Sequence, residues 1–231
     1  MAEIEVDSAQ HHLHAYLKEP EGSGPWPGVV VLHDIFGMSG DCRNHVDWFA
    51  SSGYIAIAPD LFSWGNKLMC IRSVFQDIVS QSGPSFEDIE AMRTNLAARK
   101  NCTGKVGVIG FCMGGSFALL TAQRGFSASS INYGRMPEDL DPVLKGACPV
   151  IGSFGAVDPT LPGAAAKLEN ALERANVPHD VKEYPNASHG FLNDHHGFAG
   201  WIVNRVGMGH HGPSATDTQA RILKFFGEHL H

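Results

Sequence analysis

The sequence predicts an α/β fold, in which a mostly parallel sheet is covered by helices on both faces. Three observations lead to this prediction. Short apolar runs recur along the chain, amphipathic helical stretches separate them, and no internal repeat or low-complexity linker interrupts the alternation. One such domain can use the whole chain, residues 1–231, without a second core.

The first half of the chain supplies three predicted strands and two helices. Residues 12–17 alternate weakly in polarity and are predicted to form an edge strand. The apolar runs 28–32 and 54–58 are typical of strands buried on both faces of a parallel sheet. Apolar residues at helical spacing predict helices over residues 41–52 and 85–99.

The second half continues the alternation of strand and helix. Its predicted strands cover residues 106–109, 146–154 and 179–184, and its predicted helices cover residues 117–123, 164–174 and 216–229. In a sheet of this kind, functional residues gather at the carboxyl ends of the strands. The candidate residues named below all follow a predicted strand.

The charge and hydropathy of the chain argue against two classes of partner. Twenty-four acidic side chains against seventeen basic ones give a formal net charge of −7, without a basic stripe. Nucleic-acid binding needs such a stripe, so no nucleic-acid partner is expected. No apolar run reaches the roughly 20 residues that cross a bilayer, and the N-terminus lacks the pattern of a secretory signal. We therefore expect a cytoplasmic protein without a membrane partner.

The cysteines and histidines indicate neither a disulfide framework nor a metal site. The five cysteines lack CxxC spacing, and an odd number cannot pair fully within one chain. Reduced thiols in the cytosol are the simplest interpretation. The histidine pairs 195–196 and 210–211 are adjacent in sequence, a spacing that seldom chelates one ion. We expect no metal.

The segment 108–115, Val-Ile-Gly-Phe-Cys-Met-Gly-Gly, is the most informative in the chain. It has the form Gly-x-nucleophile-x-Gly between a predicted strand and a predicted helix, which is typical of a nucleophile elbow. Cys112 occupies the nucleophile position at the start of a helix, whose dipole favours a thiolate. The alternative is a buried cysteine in a glycine-rich turn.

The order of residues along the chain supports the elbow. In the fold that uses this elbow, the nucleophile is followed by an acid and then by a histidine. Asp158 follows the predicted strand 146–154, which we take as the next long core strand, and His189 follows the strand 179–184. Taken alone, Asp158 is better explained as a helix cap or turn residue, and His189 could be one of thirteen mostly solvated histidines. Together with Cys112 they predict an α/β-hydrolase fold with a Cys-His-Asp triad.

The expected roles follow from that triad. His189 takes the thiol proton of Cys112 or holds it in an ion pair, and Asp158 fixes the tautomer of the imidazole and stabilises its charge. An oxyanion needs backbone N–H donors, of which one is expected at Met113 and a second in the loop after residues 28–32, around Asp34 and Ile35.

Four motifs together resemble the dienelactone hydrolase family. They are His-Asp-Ile-Phe-Gly at 33–37, the run 53–62, the elbow at 110–115 and His-Gly-Phe at 189–191, and the similarity extends over residues 11–230. The resemblance implies a cytoplasmic, cofactor-free enzyme with Cys112, His189 and Asp158 as its triad. It also implies that Met113 and Ile35 provide the oxyanion N–H groups.

The sequence departs from the family pattern at two positions. Bacterial prototypes carry a glutamate that interacts with the nucleophile where this chain has Asp34, which is shorter by one methylene group. Asp34 is therefore either a residue that activates Cys112 or a turn residue. The prototypes place a carboxylate-binding arginine where this chain has Asn193. Arg72 lies in the region of the family's second such arginine, although a solvated surface residue explains it too.

The candidate substrate-binding residues are Phe36, Arg72, Phe191 and Asn193. The function that we favour is hydrolysis of a lactone or small ester, as by a carboxymethylenebutenolidase. The alternatives are a general carboxylesterase or thioesterase, and a binding protein on a hydrolase scaffold. Turnover of a chromogenic acetate ester would exclude the binding protein, and a panel of dienelactone, neutral lactones and thioesters would separate the two enzymes.

Overall fold

All eight strands of the computed structural model, which describes residues 2–194 and 209–231, belong to one sheet. Their order in the sheet is β1-β2-β4-β3-β5-β6-β7-β8. The strands are β1 (Ala2–Asp7), β2 (His12–Lys18), β3 (Trp26–Leu32), β4 (Ile55–Pro59), β5 (Cys102–Phe111), β6 (Ala128–Asn132), β7 (Val150–Gly155) and β8 (His179–Tyr184).

Strands β3 to β8 run parallel to one another, and β2 is antiparallel to both of its neighbours. The predicted mostly parallel sheet is therefore confirmed. The prediction that residues 12–17 form an edge strand was wrong, because β1 pairs with the outer side of β2. Strand β1 is short and carries acidic residues at alternate positions, as edge strands commonly do.

Helices cover both faces of the sheet, as the sequence predicted. The described helices are α1 (Gly40–Ser51), α2 (Lys67–Ser80), α3 (Pro84–Ala97), α4 (Met113–Thr121), α5 (Asp141–Leu144), α6 (Ala164–Arg174) and α7 (Gly212–Leu230). The core is split by the sheet: α1 and α7 pack on one face, while α2, α3, α4 and α6 pack on the other. Within residues 2–194 and 209–231, no helix is both long enough and apolar enough to cross a membrane.

The alternation of side chains along β3 explains this two-sided core. Val29 and Val31 contribute to the cluster under α1 and α7, whereas Val30 and Leu32 contribute to the cluster on the other face. All four side chains are fully buried. A strand buried on both faces needs a continuous apolar run, which is the pattern that the sequence shows.

Parallel strands bring the candidate residues to one edge of the sheet. Cys112 follows β5, Asp34 follows β3, Asp158 follows β7 and His189 follows β8. Strand β6, which the sequence did not predict, lies between β5 and β7 in the sheet. The acid therefore follows the second strand after the nucleophile and not the next one, which corrects the expected spacing.

Candidate active site

Cys112 lies at a strained turn between β5 and α4. Its φ of 53° and ψ of −112° are unusual for a residue with a side chain. The turn is tight enough that a Cβ at Gly110 would collide with the carbonyl of Gly114, and one at Gly114 with the carbonyl of Leu32. The Cys112 N–H donates a 3.0 Å hydrogen bond to the carbonyl of Asn132 on the neighbouring strand. These features define a nucleophile elbow.

His189 and Asp158 form a hydrogen-bonded pair. The Nδ1 atom of His189 lies 2.7 Å from Oδ2 of Asp158, whose side chain is almost entirely buried. The other oxygen, Oδ1, accepts bonds of 2.8 Å from the Thr160 N–H and 2.6 Å from its hydroxyl. Burial by itself raises the pKa of Asp158, but the hydrogen bonds from His189 and Thr160 outweigh burial and leave that pKa below its ordinary value.

The pKa of His189 is raised to about 10. Burial opposes this shift, because it disfavours the charged imidazolium. The hydrogen bonds of the ring with Asp158 and Cys112 and the charges of both partners outweigh burial. A pKa raised in this way favours the protonated ring. The edge of the Tyr133 ring packs against it, with the two ring centroids 5.2 Å apart.

Cys112 and His189 open into the same cavity, which has a volume of about 690 Å³. That volume is in the usual range for small-molecule sites. Its described lining is largely apolar on the side of α2 and α4 and includes two charged side chains, Arg135 and Glu138. The apolar lining residues are Phe75, Ile78, Val79, Met113, Leu120, Met136 and Leu161.

The loop after β3 is held in one conformation by polar contacts. Oδ1 of Asp34 accepts a 2.8 Å bond from the Phe36 N–H, and the Asp34 carbonyl accepts a 3.1 Å bond from the Gly37 N–H. Nε2 of the fully buried His33 accepts a 3.1 Å bond from the Leu61 N–H, so its Nδ1 carries the proton and donates to the Asp34 carbonyl at 2.6 Å. Burial lowers the pKa of His33, consistent with a neutral ring.

The two predicted oxyanion donors, the N–H groups of Met113 and Ile35, follow adjacent strands of the sheet. Met113 is the first residue of α4, so its N–H has no acceptor within the helix. The turn after β3 uses the N–H groups of Phe36 and Gly37 but not that of Ile35. Both groups lie in loops at the carboxyl ends of adjacent parallel strands, β5 and β3.

Asp34 and Asn193 belong to a buried polar network. Asn193 Nδ2 donates a 2.8 Å bond to Oδ2 of Asp34, and its Oδ1 lies 2.9 Å from Nε2 of His45. The His45 ring stacks on Phe111, with the centroids 4.0 Å apart. Both amide atoms of Asn193 thus have protein partners, and its side chain is only 4% exposed.

The candidate substrate-binding residues lie in different surroundings in the structure. Phe191 is fully buried against Tyr133 and Tyr184, and Arg72 lies on the exposed face of α2 beside a separate groove. Phe36 is 38% exposed. The described lining of the cavity of Cys112 includes none of the four candidates, Phe36, Arg72, Phe191 and Asn193.

Sequence reasoning missed two residues that contact the His189–Asp158 pair. Thr160 donates to Asp158, and its position two residues after an aspartate was the available signal, since such residues commonly close a turn with the carboxylate. Tyr133 directly follows β6, and its ring contacts the ring of His189. It was missed because the sequence did not predict β6.

Of the two histidine pairs considered as metal ligands, the structure describes His210 and His211. Residues 195 and 196 lie outside the described residues, and Nδ1 of His211 instead caps α7 by accepting a bond from the Ser214 N–H. The described ranges hold no group of three or more histidine, cysteine, aspartate or glutamate side chains arranged to bind a metal ion.

A mostly parallel sheet with an elbow after one strand and an acid and a histidine after later strands defines the α/β-hydrolase fold. The chain belongs to the dienelactone hydrolase family, whose sequence profile matches residues 13–230. It is therefore a hydrolase of a family that includes ester- and lactone-cleaving enzymes. A carboxymethylenebutenolidase of Pseudomonas putida is 26% identical to it, over 81% of this chain and 84% of the relative.

Solved structures agree with this family. A Klebsiella pneumoniae subsp. pneumoniae protein assigned as a dienelactone hydrolase is 26% identical, with a TM-score of 0.80 and 98% of each chain covered. A dienelactone hydrolase-like promiscuous phosphotriesterase from metagenomic libraries has a TM-score of 0.84 at 21% identity, covering 100% of this chain and 98% of its own. At that identity, the second likeness supports the fold alone.

Proposed function

We propose that this protein hydrolyses a lactone or small carboxylic ester with Cys112 as nucleophile, His189 as acid and base, and Asp158 as the residue that orients His189. The observation that carries the proposal is the shared cavity of Cys112 and His189, together with the 2.7 Å bond between His189 and Asp158. Such a nucleophile, base and orienting acid form the arrangement of covalent acyl-transfer enzymes.

The proposed reaction has two halves. The Cys112 sulfur, whose proton is held by His189, attacks the carbonyl carbon, and the N–H groups of Met113 and Ile35 bind the resulting oxyanion. The tetrahedral intermediate collapses, the C–O bond of the ester breaks, and His189 gives its proton to the leaving alkoxide. Water then attacks the Cys112 thioester with His189 as base, and the C–S bond breaks, which releases the carboxylic acid and restores the Cys112 thiolate beside protonated His189. No step requires a cofactor or a metal.

A general carboxylesterase or thioesterase is the second candidate. The observation that favours it is the buried position of Asn193, which replaces the family's carboxylate-binding arginine and already bonds Asp34 and His45. A substrate that lacks a carboxylate is compatible with such a site. Comparing kcat/KM for dienelactone, neutral lactones and thioesters of matched size distinguishes the two candidates.

A cytosolic location is part of the proposal. All five cysteines are free thiols in the structure, and Cys42 and Cys70 are buried. A nucleophilic thiol is also preserved best where the surroundings are reducing. Cell fractionation of the tagged protein with cytosolic and periplasmic markers would test the location.

The decisive experiment replaces the nucleophile. Cys112→Ala should lower turnover of p-nitrophenyl acetate at least about 1,000-fold, as expected when a covalent nucleophile is removed. Cys102→Ala is the matched control, because Cys102 begins the same strand outside the cavity, and it should retain activity. Thermal melts establish that both variants fold. Substantial activity in folded Cys112→Ala would exclude the mechanism.

Thiol labelling gives an independent measurement. Burial raises the pKa of Cys148 to about 12, and it also raises the pKa values of Cys42 and Cys70. These three thiols should therefore react slowly at neutral pH, whereas Cys112 lines an accessible cavity beside the imidazolium of His189. Iodoacetamide should modify Cys112 first, in step with loss of activity. Prior labelling of another cysteine at full activity would contradict the assignment.

A further inference from the structure

Helix α2 exposes an unusual number of large apolar side chains. Leu68 is 79% exposed, Met69 61%, Phe75 40% and Val79 84%. Isolated exposed apolar residues are common, but several on one helix indicate a surface that binds something. Two of these residues, Phe75 and Val79, also line the cavity of the candidate active site.

Phe75 and Val79 are shared by two concave surfaces. Both line the cavity that contains Cys112 and His189, and both line an adjoining groove of about 560 Å³ along the outer face of α2. They lie four residues apart, so their side chains are neighbours on one face of the helix. Phe75 and Val79 therefore lie between the cavity and the groove, and no polar residue is common to the two linings. We call this surface the α2 groove; its lining is Arg72, Phe75, Gln76, Val79 and Ser80.

We propose that the α2 groove binds an extended apolar chain of the substrate whose ester carbonyl lies at Cys112. The inference rests on the proposed function and narrows it to esters with a flexible apolar group. A chain that leaves the cavity between Phe75 and Val79 would cover apolar surface that is otherwise in water. The polar ends of Arg72, Gln76 and Ser80 form the rim and remain hydrated.

The size and charge of the surface favour a substrate chain over a second protein or a membrane. A stable protein interface needs roughly 800 Å² from each partner, more than a few side chains on one helix supply. A helix that binds anionic lipid presents several basic residues, whereas α2 carries only Lys67 and Arg72 in a chain with a net charge of −7. Only the substrate explanation accounts for the two residues that the groove shares with the cavity of Cys112.

The test is the dependence of kcat/KM on chain length. One series of p-nitrophenyl esters varies the acyl chain from two to ten carbons, and a second series of acetates varies the alcohol. A fully buried methylene group contributes roughly fourfold to binding, so a half-covered groove should give about twofold per methylene group in one series. The series that responds identifies which side of the ester lies on α2. Substrate concentrations stay below the critical micelle concentration, checked by light scattering.

Variants then locate the effect. Val79→Ser should lower the ratio of octanoate to acetate kcat/KM, or the corresponding alcohol ratio, by about tenfold. Leu68→Ser is the matched control, because Leu68 is equally exposed on α2 but lines neither concave surface, and it should leave the ratio unchanged.

Three results would overturn the inference. These are a flat chain-length series in an enzyme that turns over acetate, an equal effect of Leu68→Ser and Val79→Ser, or a ratio that changes with protein concentration as a dimer forms. If the folded enzyme hydrolyses none of the esters, the proposed function itself fails. The acetate control separates that outcome from the failure of the α2 groove alone.

Discussion

The side-chain amide of Asn193 donates a 2.8 Å hydrogen bond to Oδ2 of Asp34, which joins the loop after β8 to the loop after β3. The first loop carries His189, and the second carries the Ile35 N–H. The bond therefore ties the loop of the proposed general base to the loop of the proposed oxyanion donor. In place of an arginine, the residue at position 193 thus makes a hydrogen bond between two loops.

Removing this contact should destabilise the protein. In Asn193→Ala, the buried Asp34 carboxylate loses a donor and Nε2 of His45 loses its contact with Asn193. A hydrogen bond to a charged group is worth about 1.5–3 kcal/mol, so the free energy of unfolding should fall by about that amount in urea titrations. Asn186→Ala, an exposed change in the same loop, is the control and should have little effect. Equal stability of the two variants would contradict the bridging role.

Asp34→Asn separates the two interpretations of Asp34. As a turn residue it accepts from Phe36, and an amide oxygen can retain that bond. We expect a several-fold loss of kcat/KM through the Asn193 contact, with a pH–rate profile of unchanged shape. If Asp34 instead activates the thiol, the profile for acylation should shift along the pH axis, and a stopped-flow measurement of the acylation burst would reveal it.

Thr160→Val tests how the proposed orienting residue, Asp158, is held in place. The variant keeps the size of the side chain but removes the 2.6 Å bond from the hydroxyl to Oδ1 of Asp158. Hydrogen bonds to a charged group are worth about 1.5–3 kcal/mol, so kcat should fall roughly tenfold or more if the bond orients Asp158 for His189. Thr160→Ser restores the hydroxyl and should recover most of the activity. A Thr160→Val enzyme with unchanged kcat and an unchanged pH profile would show that the bond is only structural.

The sequence predicted those strands and helices whose residues follow a single pattern of polarity. The continuous apolar run of β3 and the amphipathic pattern of α6 each identified an element. Strand β6 was missed because its buried positions include Ser129 and Ser130, whose polarity hides a strand interior. The Ser129 hydroxyl is satisfied there by a 2.8 Å bond to the Ala118 carbonyl on α4, a partner that the sequence does not show.

Helix α2 was missed for the opposite reason. Its apolar side chains point both inward, as Cys70 and Val74 do, and outward, as Leu68 and Val79 do, so no single polar face marks the helix. The same exposed residues now form the basis of the proposed α2 groove. A departure from the expected pattern thus coincides with a candidate functional surface.

Candidate site residues were predictable where chain order constrains them. The elbow glycines and the order of nucleophile, acid and histidine selected Cys112, Asp158 and His189. Residues that border the cavity depend on which loops meet in space, which spacing along the chain does not encode. Phe191 was therefore expected at the site but lies in the core, and Arg135 was not expected but lines the cavity.

Removing the carboxylate of Asp158 should alter the pH dependence of both stability and activity. The pKa of His189 is raised from an unfolded value near 6.5 to about 10. A raised pKa contributes stability that is present below about pH 6.5 and is lost as the pH rises to about 10. The lowered pKa of Asp158 contributes stability above its ordinary value, which is lost as the pH falls through the folded value. The wild type should therefore lose stability on both sides of the neutral range.

In Asp158→Asn, the His189 ring loses a negative partner and burial acts with less opposition. Its pKa should fall by about one to three units, and the alkaline limb of the kcat/KM profile should move down with it. The decline in melting temperature between pH 7 and pH 10 should also become shallower than in the wild type. A profile that keeps its alkaline limb would mean that another group controls it. Asp180→Asn, which removes a partly exposed carboxylate bonded to Arg221, controls for general charge effects.

Preference for an anionic substrate should be weak and should depend on Arg135 alone. Among the described residues that line the cavity of Cys112, Arg135 is the only lysine or arginine, and Glu138 lies on the same wall. The guanidinium is exposed, so water screens it, and the carboxylate of Glu138 opposes an anion. We expect kcat/KM for a carboxylated lactone to exceed that of its methyl ester by less than tenfold at moderate salt.

Variants identify the source of whatever preference exists. Arg135→Gln should abolish it, Glu138→Gln should increase it, and Arg72→Gln should leave it unchanged, because Arg72 lies outside the cavity on α2. The effect should appear in KM more than in kcat and should shrink as salt rises, as a screened contact to a bound anion requires. A free-acid preference above tenfold that survives Arg135→Gln would contradict this account. It would mean that a cation outside the described lining binds the carboxylate as strongly as a charge-assisted arginine contact does.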